Sequence, residues 1–136
     1  MKRKKKKSKK KIKTNYNWPK TTDKKKSAQA KRNRTNGHNF ERECADELKS
    51  VFPEVKRHLE YQVQEAMGID LDNTGPFLFQ CKYGKRHASP NVLDEIQSKE
   101  IMDFKVVLTR KTSESEIYAI LTLEDLKVLI NDYINY

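Results

Sequence analysis

The chain has 136 residues, 35% of them charged and 35% hydrophobic, with a formal net charge of +10. The charge is uneven: residues 1–35 hold 17 Lys or Arg against the single acid Asp23, whereas the remainder holds 12 basic and 18 acidic residues, so a basic tail precedes an acidic body. About one hundred residues after the tail suffice for one core and not for two domains, no stretch approaches a membrane span, and two cysteines exclude a disulfide scaffold.

The tail, residues 1–35, is expected to be disordered. A run such as Lys4, Lys5, Lys6 and Lys7, followed by Lys9, Lys10 and Lys11, repels itself and offers nothing apolar to offset the entropy of ordering. Its expected partner is DNA, because each cation near a phosphate releases condensed counterions. Anionic lipid is the competing partner, but the segment has no lipidation motif, apolar anchor or transit-peptide pattern, so no membrane association is expected.

The body, residues 36–136, opens with a helix predicted to start near His38 or Asn39. Phe40, Cys44, Leu48 and Val51 share one stripe of it, and Phe52-Pro53 stops it. Glu41 stands at the border of that stripe, an unusual place for a carboxylate. Val55–Tyr61 alternates loosely and reads as a partly exposed strand. Ile69–Asp72 is a brief strand entering the Asn73-Thr74-Gly75-Pro76 turn. Phe77–Tyr83 is the strongest strand signal: Phe77, Phe79, Cys81 and Tyr83 point to the core, and Leu78, Gln80 and Lys82 point away. Ser89-Pro90 caps a middle helix reaching toward Ile101. Phe104–Thr109 and Glu116–Leu121 form a hairpin, and Thr122 opens a last helix with Leu126, Leu129, Ile130, Tyr133 and Ile134 at helical spacing. The predicted fold is α/β, in the order αβββαββα, with a mixed sheet flanked by helices.

Cys44 and Cys81 lack companions at zinc-site spacing and read as small buried hydrophobes of a cytosolic protein. His38, His58 and His87 are too scattered for a zinc site and read as surface histidines, with His87 a further candidate for touching phosphate. The chemistry-bearing set is Asp70, Gln80 and Lys82. A hairpin sets Asp70 beside Gln80; the carboxylate, the Gln80 amide oxygen and the Cys81 backbone carbonyl are hard oxygen ligands suited to Mg²⁺, with Mn²⁺ as a substitute. Lys82 is placed to stabilise a phosphate or to orient and deprotonate a water. Glu41 is either a second acid, acting directly or through a metal-bound water, or a capping carboxylate in the first helical turn; Asp72 is a weaker candidate. Singly, each residue also has an ordinary reading: Lys82 a solvated strand residue, Gln80 a cross-strand partner, Asp70 an aspartate bonded to backbone.

Taken in order, Gly68-Ile69-Asp70, a turn, then Phe79-Gln80-Cys81-Lys82 resembles the split signature of the PD-(D/E)XK, or restriction-endonuclease-like, nucleases in the Gln-x-Lys version of Mrr-type enzymes. Phe40-Glu41-Arg42 on the first helix resembles the start of archaeal-type Holliday junction resolvases, to which small bacteriophage proteins are similar. The resemblance spans Asn36–Asn135. It implies that Glu41 assists metal binding, Asp70 is the metal aspartate, Gln80 the second ligand position and Lys82 the catalytic lysine, with Lys85, Arg86 and Ser89 facing DNA. Ile69 replaces the motif's proline, and Gln80 its second acid.

The function so implied is a Mg²⁺-dependent endonuclease cutting branched DNA such as a four-way junction, as a homodimer, in the bacterial cytoplasm or, for a phage-encoded protein, the host nucleoid. The alternatives are an Mrr-like restriction or repair endonuclease and a non-catalytic DNA-binding module that keeps the fold.

Overall fold

The computed structural model describes residues 20–59, 68–98 and 100–136. The tail cations Lys4, Lys5, Lys6, Lys7, Lys9, Lys10 and Lys11 lie outside the described residues, as does the end of the predicted Val55–Tyr61 strand.

The first helix, α1, runs Lys20–Leu48. It therefore begins well before His38, and residues 20–35, assigned by sequence to a disordered tail, are helical. The reason is local: Ala28, Gln29, Ala30, Lys31 and Arg32 are good helix formers, which outweighs the like-charge repulsion. Gly37 interrupts them at a cost of about 1 kcal/mol relative to alanine, too little to break the helix. The helix ends at Leu48, ahead of Phe52-Pro53, and Val51 is left exposed.

Strands β1 (Lys56–Arg57) and β2 (Leu71–Asp72) pair antiparallel, with Arg57 opposite Leu71. Strand β3 (Phe77–Gly84) runs parallel to β4 (Phe104–Lys111), and β4 pairs antiparallel with β5 (Tyr118–Ile120). Asp70 links the two sheets: its N–H donates to the Phe79 carbonyl at 2.9 Å, and its carbonyl accepts from the His58 N–H at 2.7 Å. The result is a mixed α/β fold. The middle helix expected between β3 and β4 is instead a six-residue 3₁₀ helix, Pro90–Glu95, and Ile101 beyond it is fully exposed. Ser89 still caps it, accepting from the Asn91 N–H. The last helix, α2 (Leu123–Ile134), is capped by Thr122, which accepts from the Asp125 N–H at 3.2 Å. None of its residues is buried; Leu126 and Ile130, placed at helical spacing by sequence, stay exposed.

The sheet has two covered faces because β4 alternates without a polar side: Val106 and Leu108 face α1, Val107 and Thr109 face the 3₁₀ helix, and all four are buried. Against α1, Phe40, Cys44 and Ala45 meet Phe79, Cys81 and Leu71. On the other face, Leu93 and Ile96 meet Val107 and Leu78. Arg110 ties α1 to β4 by an ion pair with Glu43, its guanidinium lying 5.1 Å from the Phe40 ring and 5.3 Å from that of Tyr83. Among the described residues, no helix is long and apolar enough to cross a membrane.

Candidate functional site

Strand alternation builds the site. With Phe79 and Cys81 committed to the α1 core, Gln80 and Lys82 must point to the opposite face, where the 3₁₀ helix ends at Glu95. There the Gln80 Nε2 donates to Glu95 Oε2 at 3.0 Å, and Lys82 Nζ lies 3.5 Å from the same oxygen. A carboxylate only accepts, so this bond fixes the amide: its nitrogen faces Glu95 and its oxygen faces away. The Gln80 residue is buried, and that Oε1 has no hydrogen-bond partner among the described residues. A buried amide oxygen left without a donor carries a penalty of about 1–3 kcal/mol, which a cation or a ligand donor would remove.

Asp70 reaches the same strand from its edge. Its Oδ2 accepts from the Cys81 N–H at 2.8 Å. In a strand the N–H and C=O of one residue point to the same edge, so the Cys81 carbonyl is directed along the edge occupied by the Asp70 carboxylate. Burial pushes the Asp70 carboxyl above its ordinary pKa, against the opposing pull of the Cys81 N–H, Lys82, His58 and Arg57. Asp70 is thus bonded to the residue between Gln80 and Lys82 and lies within the electrostatic reach of Lys82.

The remaining predicted residues divide. Glu41 is half-buried and pairs with Arg57 Nε at 3.8 Å; it borders Cys81 from the α1 side. The Cys81 thiol is pushed far up by its contact with the Cys44 thiol and by burial, with the negative charges of Asp70 and Glu41 adding to it. Both thiols are buried and free, hence inert fillers, as the sequence reading has them. Asp72 is engaged elsewhere, its Oδ1 lying 2.8 Å from His58 Nδ1. Lys85 and Arg86 are exposed in the turn after β3, and Ser89 is occupied as the 3₁₀ cap.

Two histidines are not the surface residues expected. His58 is largely buried against Asp72, because its backbone pairs with Asp70 and carries its ring under the sheet edge; its Nε2 has no partner among the described residues. His87 turns inward, with Nδ1 3.4 Å from Thr109 Oγ1 and Nε2 3.5 Å from Glu114, rather than toward solvent with Lys85 and Arg86.

The chain matches no protein-family model, no curated protein and no solved structure. Among the described residues no three His, Cys, Asp or Glu side chains group as a cation site. The oxygen donors at hand are instead one carboxylate, one amide oxygen and one peptide carbonyl. That set suits a hard divalent cation that keeps much of its water shell, and not a soft metal.

Glu95 is the residue that sequence reasoning missed. In the sequence it sits in a run read as an ordinary helix, Val92-Leu93-Asp94-Glu95-Ile96, where two adjacent acids stand between core residues. No sequence signal marks it; the structure holds its carboxylate near the sheet because Ile96, the next residue, is completely buried. Gly68 holds it there from the other side. With φ at +78°, a conformation that favours glycine, Gly68 packs so closely that a Cβ would overlap the Glu95 carbonyl.

Proposed function

We propose that this chain is a Mg²⁺-dependent DNA endonuclease of the PD-(D/E)XK type, acting on branched DNA such as a four-way junction as a homodimer, with Mn²⁺ able to replace Mg²⁺. The observation that carries the proposal is the buried Oε1 of Gln80, without a hydrogen-bond partner among the described residues, on the same strand as Lys82 and next in the chain to Cys81, whose N–H holds the Asp70 carboxylate. The mixed α/β fold, with β3 parallel to β4 and helical segments on both faces of the sheet, supports that reading.

In this reading Asp70, Gln80 and the Cys81 carbonyl hold the cation, and Glu41 supports it from α1. The cation supplies charge screening at the phosphate and a more acidic water. Asp70 holds its carboxylate in place through the Cys81 N–H. Glu95 fixes the Gln80 amide so that its oxygen is presented, and it restrains Lys82 through an ion pair. Both charged partners are about half exposed, so this pair positions the ammonium more than it stabilises the fold. Lys82 stabilises the phosphate or exchanges a proton with the attacking water. Lys85 and Arg86 contact the DNA backbone outside the site.

Cleavage of a synthetic four-way junction, beside a linear duplex of matched sequence, tests the proposal. Mg²⁺-dependent cutting of the junction, lost in Asp70→Asn and reduced about 10²–10⁴-fold in Lys82→Ala, is expected. Equal cutting of the duplex removes the junction assignment. Tight binding with no hydrolysis of any DNA under Mg²⁺ or Mn²⁺ removes the enzyme. The second reading, a DNA-binding module that keeps the fold, then stands, and it is favoured by one observation: an amide occupies the second ligand position.

A further inference from the structure

The core-facing stripe of α1 does not stop where the core stops. Phe40 and Cys44 on that stripe are buried, and at 3.6 residues per turn it runs back through Asn36, Asn33 and Gln29. These three are exposed amides. They form one wall of an open groove of about 670 Å³ whose other wall is Tyr83, Gly84 and Lys85 at the end of β3. Gln29 Nε2 donates to Asn33 Oδ1 at 2.9 Å, joining two of the amides into a row.

Cations frame this row. By helical periodicity Lys25 and Arg32 lie on one flank of the amide stripe and Lys26 on the other, each roughly 50–70° away around the helix, whereas Arg34 lies on the far face. No acid occurs between Lys25 and Asn36. A helix half that is polar on every side and basic along its length lacks an internal reason to be held straight beyond the core, and a polyanion supplies one. The amide row spans roughly 10 Å, the length of about three nucleotide steps along one DNA strand. Amide and ammonium groups are also the donors that fix a sugar–phosphate backbone without reading its bases.

We propose that the groove between the exposed half of α1 and the end of β3 seats one sugar–phosphate strand of DNA, gripped by Gln29, Asn33, Asn36 and Lys85. The groove opens one residue beyond Lys82 on the same strand, at Tyr83, so a DNA strand lying in it is led past the end of β3 that carries the candidate site. The choice of DNA rests on the nuclease reading; the groove and its charge do not.

Two substitutions that change the charge by the same amount separate a groove from a general electrostatic attraction. Asn33→Asp places a negative charge inside the row, where Asp still accepts the Gln29 hydrogen bond. Arg34→Gln removes a positive charge from the far face of the same helix. Affinity of the full chain for a fluorescein-labelled DNA duplex is measured by anisotropy in EDTA, where hydrolysis plays no part, with helix content and melting temperature recorded for each protein. Asn33→Asp is expected to weaken binding about tenfold or more and Arg34→Gln about threefold or less. Equal losses in the two variants, or undiminished binding by a folded Asn33→Asp protein, overturn the groove. Tighter binding of an RNA strand of the same sequence overturns the choice of DNA. The binding assay involves neither metal nor cleavage, so a failed groove shows here and a failed nuclease reading shows in the cleavage assay, and the two give different results.

Discussion

Replacing Asp70 by Asn should separate the cost of the site from its use. Burial raises the Asp70 pKa, so the native state holds this proton more tightly than the unfolded chain does. The group's contribution to stability is then fully present below its unfolded pKa and is lost as pH rises through the raised native value. At pH 7, well above the unfolded value, that contribution is diminished, because burial disfavours the charged form. Asn removes that charge, and its Oδ1 can keep the hydrogen bond from the Cys81 N–H at 2.8 Å. Metal-free Asp70→Asn should therefore melt at or above the parent at pH 7, with the difference shrinking as pH falls toward 4. A divalent cation reverses the order. At one hundred times its Kd a ligand of the native state adds about 2.7 kcal/mol, or roughly 10 °C for a chain of this size. The parent should gain that shift and Asp70→Asn should not. Differential scanning fluorimetry across pH 4–8, with EDTA or with Mg²⁺ or Mn²⁺ titrated to saturation, reads both effects. Equal metal shifts in the two proteins would refute Asp70 as a ligand, and a metal-free variant that melts lower at pH 7 would refute the burial argument.

Phe40→Ala should cost about 3–5 kcal/mol, because the ring is buried between α1 and β3 and supports both Tyr83 and Arg110; urea denaturation measures it. Gly68→Ala should destabilise the fold and displace Glu95, whose carbonyl the new Cβ would meet, so any residual cleavage should fall more than DNA binding does; a variant with parental melting temperature and activity contradicts that coupling. Deleting residues 1–19 should leave α1 intact and flatten the dependence of log affinity on log salt, since each lost phosphate contact removes a slope of about 0.9; an unchanged slope denies the tail its role. Glu95→Ala should lower the cleavage rate while leaving the affinity for DNA within about threefold, since Glu95 acts by aiming Gln80 and restraining Lys82; an unaltered rate removes its positioning role.

What was legible in the sequence was whatever alternation or capping alone decides. Phe77–Tyr83 could only be a strand with Phe79 and Cys81 inward, and that parity by itself sends Gln80 and Lys82 to the other face. Ser89 and Thr122 cap where their side chains say they should. The start of α1 was not legible from charge. The same lysines that argue against a packed core are individually good helix formers, and the helix propagates outward from the Phe40–Cys44 anchor at little cost per residue once nucleated. The 3₁₀ helix was hidden for a different reason. Val92, Leu93 and Ile96 fit an α-helical stripe, and the tight fit of Gly68 against the Glu95 carbonyl, which a linear pattern does not display, marks where the turn is pinned. Glu95 and His58 were missed for the same reason, as each acquires its partner through tertiary approach.

The charges around the site explain why an amide can stand at the position proposed for the second ligand. Glu41 is offset by Arg57 and Glu95 by Lys82, so Asp70 is the acid left to face a cation without a full counter-charge of its own. Replacing Gln80 by a second carboxylate would set it against Glu95, whose Oε2 now accepts from Gln80 Nε2 at 3.0 Å, and two carboxylates at that separation resist ionising together. The amide avoids that conflict by donating to one neighbour and presenting an oxygen to the other side. Its consequence is a site with little net negative charge of its own. Under the proposed function, a cation bound there would need anionic oxygen from elsewhere, which a phosphodiester carries, so the affinities for metal and for DNA should be linked.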